Sequence, residues 1–260
     1  MRKKNFILIG ISIILQFIMA MVPFIGIGQH IEVVSLPITL LISLFLMMIG
    51  LKGLYKETHY QEFNNGAILS IVGIIAVFLF TLFSPLIIGG KYVGIFEFYS
   101  IALKNPQNEA LLLSLTQNFM KSYGTFFLTS TVAVFFFGYA LKSFGNGIQY
   151  QNVDKEHTNK LRKATKKFAV SNFLLMLLFT IMLFVLGNVF TFIRENVDAS
   201  GELSNGAAIE LLLSFGSIYL IIIPLLIFLS ITYYINIVKS LILIFSTPKK
   251  IINNDEVINN

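Results

Sequence analysis

Six stretches of this chain run for about 20 residues or more without a single Asp, Glu, Lys or Arg. A bilayer core of roughly 30 Å is crossed by about 20 apolar residues in helix, because hydrocarbon offers no partner for an exposed backbone N–H or C=O. The stretches predict transmembrane spans over about 5–29, 33–51, 66–90, 122–142, 168–193 and 211–238. Their apolar content is continuous rather than one-sided, which distinguishes them from surface helices. The expected fold class is all-α, a single polytopic helical membrane domain filling 1–260.

Composition excludes the other classes. Hydrophobic residues make up 56% and charged residues 12%, against about 25% charged in a soluble domain. A chain with 26 Phe is not intrinsically disordered. No Cys is present, which removes disulfides, thiolate metal sites and Cys nucleophiles together.

Charge sets the orientation. Arg2, Lys3 and Lys4 precede the first span, and Lys52 and Lys56 follow the second. Lys142, Lys155, Lys160, Arg162, Lys163, Lys166 and Lys167 lie between the fourth and fifth, and Lys239, Lys249 and Lys250 close the chain. Alternating spans put these 15 of the 19 basic residues on one side, leaving Lys91, Lys104, Lys121 and Arg194 on the other. Basic loops stay in the cytoplasm, so both termini are expected there, in the cytoplasmic membrane of a prokaryote. The run after Met1-Arg2-Lys3-Lys4 is long for a secretory signal, and Phe17-Ile18-Met19-Ala20 is a poor cleavage site. The first helix is therefore expected to remain. Tyr55, Tyr60, Tyr139, Tyr150, Tyr233 and Tyr234 fall near inner ends and Tyr92, Tyr99 and Tyr123 near outer ends, the interface positions expected of Tyr in a chain without Trp.

Between the spans, residues 91–121 form the largest outer segment. Its part from Tyr92 to Leu103 is apolar enough for the interface. Asn105-Pro106 reads as a helix start, Asn as cap and Pro in the first turn, and that helix is able to run on into the fourth span. Ser200-Gly201 and Asn205-Gly206 predict turns in an acidic outer loop. A basic cytoplasmic loop is expected over 143–167, opening with a turn at Gly145-Asn146-Gly147 and continuing as a helix from Lys155. Leu161, Ala164 and Phe168 share one face of that helix. Lys160, Arg162, Lys163, Lys166 and Lys167 then form a candidate contact for anionic lipid headgroups; the plainer reading is a solvated extension whose lysines only fix topology. Leu51-Lys52-Gly53-Leu54, Leu141-Lys142-Ser143-Phe144 and Val238-Lys239-Ser240-Leu241 end the three inward-running helices alike. Duplicated hairpins and interface selection for Lys both produce that pattern.

Little catalytic chemistry is encoded. No charged residue lies within a span except Lys142 at the very end of the fourth, and His30 sits at an outer edge, which argues against ion-coupled transport, voltage sensing and carboxylate-dyad proteolysis. Nucleophile-elbow, zincin and Walker motifs are missing. Glu57, His59 and Glu62, and separately Asp154, Glu156 and His157, offer N and O donors for a metal, but short acidic loop segments with one His are ordinary solvated residues. No cofactor and no nucleic-acid partner are expected. Gln16, Asn172 and Asn188 are the strongest candidates for polar lining of a pathway, against the plainer reading that buried polar groups hydrogen-bond between helices, with Gly66, Ser70 and Gly73 allowing close approach. Pro85 and Pro224 are expected to kink the third and sixth spans.

Residues 41–80 read LISLFLMMIGLKGLYKETHYQEFNNGAILSIVGIIAVFLF. An apolar helix ends in Leu-Lys, a Tyr-containing linker leads to Glu-Phe-Asn, and a Gly-Ala-Ile-Leu helix begins. This resembles a family of small bacterial and archaeal multi-span membrane proteins known as domain of unknown function 996, with a looser likeness over 139–163. The resemblance implies an all-helical membrane domain and carries no functional residues. The expected role is non-enzymatic: a scaffold, a partner of another membrane protein or of a second copy of itself, or a lipid-interacting component. The alternative is a passive permease or channel for a small neutral solute.

Overall fold

In the computed structural model, residues 3–25, 29–88, 93, 95–104, 107–150, 153–196 and 204–250 are described, the side chains of 19–37, 85, 87–88, 95–97, 99, 109–110, 194 and 249–250 excepted. The helices are α1 (Lys3–Ile25), α2 (Gln29–Thr58), α3 (Gln61–Ile88), α4 (Ile95–Lys104), α5 (Glu109–Gln149), α6 (Lys155–Asn196), α7 (Asn205–Leu211) and α8 (Ser217–Ser246). A π-helical turn, Leu212–Gly216, joins α7 to α8 without a break, and no strand occurs among the described residues. Among the described residues, five helical stretches are long and apolar enough to cross a membrane: Ile38–Thr58, Gln61–Ser84, Leu111–Gln149, Lys155–Ile193 and Asn205–Ser246. α1, whose side chains are described only as far as Ile18, packs with them.

The long helices close into a ring in the order α1, α2, α3, α5, α6, α8 and back to α1, with α2 also meeting α5 across the interior. Small residues permit the close approaches. A side chain at Gly66 would meet the Ala140 carbonyl at 3.1 Å, and one at Gly73 would meet Phe136 Cβ at 2.8 Å. Phe6, Phe63, Phe137, Phe144 and Phe168 are fully buried at the centre. α8 is the least enclosed, leaving Leu220, Ile221, Phe228 and Ile231 exposed. Such a surface is disfavoured in water and ordinary against lipid.

Several predicted loops are helix instead. The basic loop over 143–167 shrinks to the few residues between Gln149 and Lys155. Gly145-Asn146-Gly147 is not a turn; it lies inside α5, where a side chain at Gly145 would meet Thr165 Oγ1 at 3.2 Å and one at Gly147 would meet the Phe63 ring at 2.5 Å. These glycines are contact positions, and packing overrides their weak helix propensity. Asn205-Gly206 likewise starts α7, capped by Ser204, whose Oγ accepts from the Ala207 N–H. Asn105-Pro106 lies outside the described residues, and the cap of α5 is Asn108, whose Oδ1 accepts from the Leu111 N–H at 3.0 Å. As the sequence allowed, α5 continues unbroken from the 91–121 segment into the fourth predicted span. α3 and α8 both extend past their prolines.

α5 has 41 residues and α6 has 42, about 60 Å each, twice a bilayer core. The two pair along most of this length, from Gln117–Thr191 (2.7 Å) through Thr131–Thr180 (3.2 Å) to Gln149–Arg162 (3.0 Å). α2 ends at His59, which adopts the left-handed conformation (φ 58°) and donates its N–H to the Tyr55 carbonyl at 2.7 Å, closing the last turn. The repeated ending is only partly structural. Leu51, Leu54, Leu141 and Phe144 are fully buried beside outward Lys52 and Lys142, whereas around Lys239 it is Ser240 that is buried and Val238 that is exposed.

Candidate functional site

The basic segment is the N-terminal part of α6 itself. Leu161 and Phe168 are fully buried and Ala164 nearly so, as their shared face required, and Thr165 fills the same face. Lys160, Arg162, Lys163, Lys166 and Lys167 are all exposed. The apolar face is occupied by the rest of the bundle, so the segment stands with α5 rather than lying flat on a membrane. Lys160 pairs with Glu156 one turn earlier, and Arg162 Nη1 donates to Gln149 Oε1 at 3.0 Å. Lys166 joins Lys142 at one end of a groove of about 320 Å³ between α5 and α6, whose walls include Phe135, Val170, Phe173 and Leu174. The Lys142 ammonium lies 5.7 Å from the centre of the Tyr139 ring. Basic groups above an apolar groove match the amphiphilic profile of a leaflet boundary.

The proposed polar lining separates. Gln16 is buried between α1 and α2, where its Nε2 donates to Ser43 Oγ at 3.0 Å and Ser43 Oγ donates to the Ser12 carbonyl at 2.9 Å. Asn172 is buried on α6. Asn188 is exposed on the C-terminal part of α6, so the structure does not bring it to the interior with the other two. Depth along a span is legible from sequence, but the direction a residue faces is not when apolar residues surround the whole helix. Most other buried hydroxyls, including Ser70, Thr129, Ser130 and Thr165, donate to carbonyls of their own helices, an ordinary use in packed apolar helices.

Some interior polar atoms have no hydrogen-bond partner among the described residues: Gln16 Oε1, both amide atoms of Asn172, Tyr233 Oη and Ser240 Oγ. The Phe168 ring stacks on Tyr233 at 5.6 Å, and His157 Nε2 lies 3.0 Å from Thr247 Oγ1. These two fixed points run α6 and α8 antiparallel. Asn172 therefore lies one turn outward of the aromatic stack and Ser240 two turns inward, about 16 Å apart along the axis at 1.5 Å per residue. The stack stands between them. Sequence reasoning passed over Tyr233 as an interface anchor; only its packing reveals that it is buried.

The acidic–histidine clusters do not assemble. Asn5 Nδ2 donates to Glu57 at 2.8 Å, His59 meets the edge of Tyr55, and His157 is buried at the foot of α8. Among the described residues no three His, Asp or Glu side chains converge. The chain matches no protein-family profile, no curated protein and no solved structure.

Proposed function

We propose that this protein is a six-span component of a prokaryotic cytoplasmic membrane with both termini inside, and that it acts without catalysis, as a lipid-contacting scaffold or partner protein. Likeness to the domain-of-unknown-function-996 family over 41–80 fits that reading. The observation that carries it is the inner part of α6, where one face is buried against the bundle and five basic side chains point outward at the end of a spanning helix. The exposed apolar surface of α8 supports a bilayer as its surroundings.

The test uses the full-length protein with Lys160, Lys163, Lys166 and Lys167 all changed to Gln. Each Lys near an anionic surface contributes about 1 kcal/mol, less for Lys160, which already pairs with Glu156. Native mass spectrometry should find clearly fewer phosphatidylglycerol molecules retained than on the parent protein, at equal retention of phosphatidylcholine. Unchanged phosphatidylglycerol retention would remove the surface-contact reading.

A second reading is a passive pathway for a small neutral solute. The unpartnered amide of Asn172 and the hydroxyls of Tyr233 and Ser240 favour it. The stacked Phe168–Tyr233 pair would then be its constriction. Flux into proteoliposomes across a panel of neutral solutes tests it, and rates equal to empty liposomes for every solute would count against it.

A further inference from the structure

A second groove lies at the opposite edge of the ring from the α6 lysines. It holds about 690 Å³ over the outer face of α2, between α1 and α3, within the volume range of ligand sites. Its inner end is polar: Lys4 and Asn5 from α1, Lys52, Lys56 and Glu57 from α2, and Asn64 from α3. Further along the same helices the walls become Leu8, Met48, Ile49, Ala67, Ile68 and Ile71. From Lys56 to Ile49 is about 10 Å along α2, the distance from a headgroup layer into hydrocarbon. Gly53 keeps the floor low, since a side chain there would strike Asn5 Oδ1.

Charge at the mouth is unbalanced. Among the described residues Glu57 is the sole carboxylate in the lining, and it already accepts from Asn5. Lys52 donates to Asn64 Oδ1 at 2.9 Å and lies 5.2 Å from the centre of the Tyr55 ring, neither of which neutralises it. Lys4 and Lys56 have no ion-pair partner among the described residues. Below the mouth, the apolar walls run on as two exposed stripes at helical spacing: Ile49, Phe45, Ile42 and Ile38 on α2, and Ile68, Ile71, Ile75, Phe78 and Leu82 on α3. Stripes of this kind occur on any lipid-facing helix. Three lysines converging on the concave end of them do not follow from topology alone.

We propose that this groove binds one anionic phospholipid, its phosphate among Lys4, Lys52 and Lys56 and its acyl chains along the α2 and α3 stripes. The inference rests on the membrane reading above but on different lysines, so the two can fail separately.

The chain has no Trp, so a single Trp reports on one place. Ile71→Trp puts the reporter on the groove wall, at a residue already 43% exposed, and Ile231→Trp puts a control on the exposed face of α8. Each full-length variant is reconstituted in phosphatidylcholine vesicles containing phosphatidylglycerol or phosphatidylcholine brominated on its acyl chains. At 71, brominated phosphatidylglycerol should quench at a mole fraction roughly tenfold lower than brominated phosphatidylcholine, with no such preference at 231. Lys4→Gln, Lys52→Gln and Lys56→Gln together should abolish the preference, the three Arg replacements should keep it, and the α6 quartet of Gln changes should leave it intact. Equal quenching by the two lipids at 71 overturns the proposal, as does a preference lost only with the α6 quartet. Displacement of the brominated lipid by millimolar inorganic phosphate would assign the site to a free anion and overturn the lipid occupant. If neither reporter is quenched by any brominated lipid, the membrane reading itself fails, and the groove proposal with it.

Discussion

Replacing Gly147 by alanine is expected to destabilise the protein even though alanine is the better helix former. In an exposed helix the change gains about 1 kcal/mol. Here the new Cβ would lie 2.5–2.8 Å from three atoms of the Phe63 ring, and Phe63 is fully buried against Phe144. A fully buried ring has to shift to make room for the methyl, and overpacking of this kind costs about 1–3 kcal/mol. The same substitution at Gly216 meets nothing within 4 Å and should leave stability unchanged or raise it by up to about 1 kcal/mol. Denaturant unfolding in detergent reads both. Opposite signs are the prediction. Equal effects would mean that α3 and α5 do not approach through Phe63 and Gly147.

Asn172→Leu is expected to act in the other direction and raise stability. Both amide atoms of Asn172 are buried without a partner among the described residues, and each such group costs about 1–3 kcal/mol. Leucine fills a similar volume without that cost, so the unfolding midpoint should rise by an amount corresponding to about 1–3 kcal/mol. The substitution also separates the two functional readings. If the interior is packing alone, the variant is more stable and nothing else changes. If Asn172 lines a pathway, any neutral-solute flux found for the parent protein is lost. A variant less stable than the parent would show that the amide is engaged in the membrane-embedded protein.

The parts of this fold that were legible in the sequence are those set by solvent. Charge-free runs marked six spans, because an unpaired charge is costly in hydrocarbon, and among the described residues five helical stretches are long and apolar enough to cross a membrane. The spacing of Leu161, Ala164 and Phe168 marked the buried face of the N-terminal part of α6 because charged residues fill its other side. Contacts between apolar helices left no comparable trace. Gly145 and Gly147 read as chain breakers, and they are helical because Thr165 and Phe63 need the space. Asn188 read as a lining residue because its depth was right, and it faces outward. Lys52 and Lys56 read as topology signals. Their placement over a groove depends on how α2 is recessed between α1 and α3, which no single helix encodes.

The central claim is the six-span arrangement with both termini inside, and it turns on whether α1 crosses the membrane. The chain has no Cys, so single cysteines at Lys3, Asn159 and Asn196, all exposed positions, report sidedness to a membrane-impermeant maleimide. On intact cells the cysteine at 196 should label, while those at 3 and 159 should label only after permeabilisation. Labelling of 3 and 159 from opposite sides would reduce the spans to five and contradict the account.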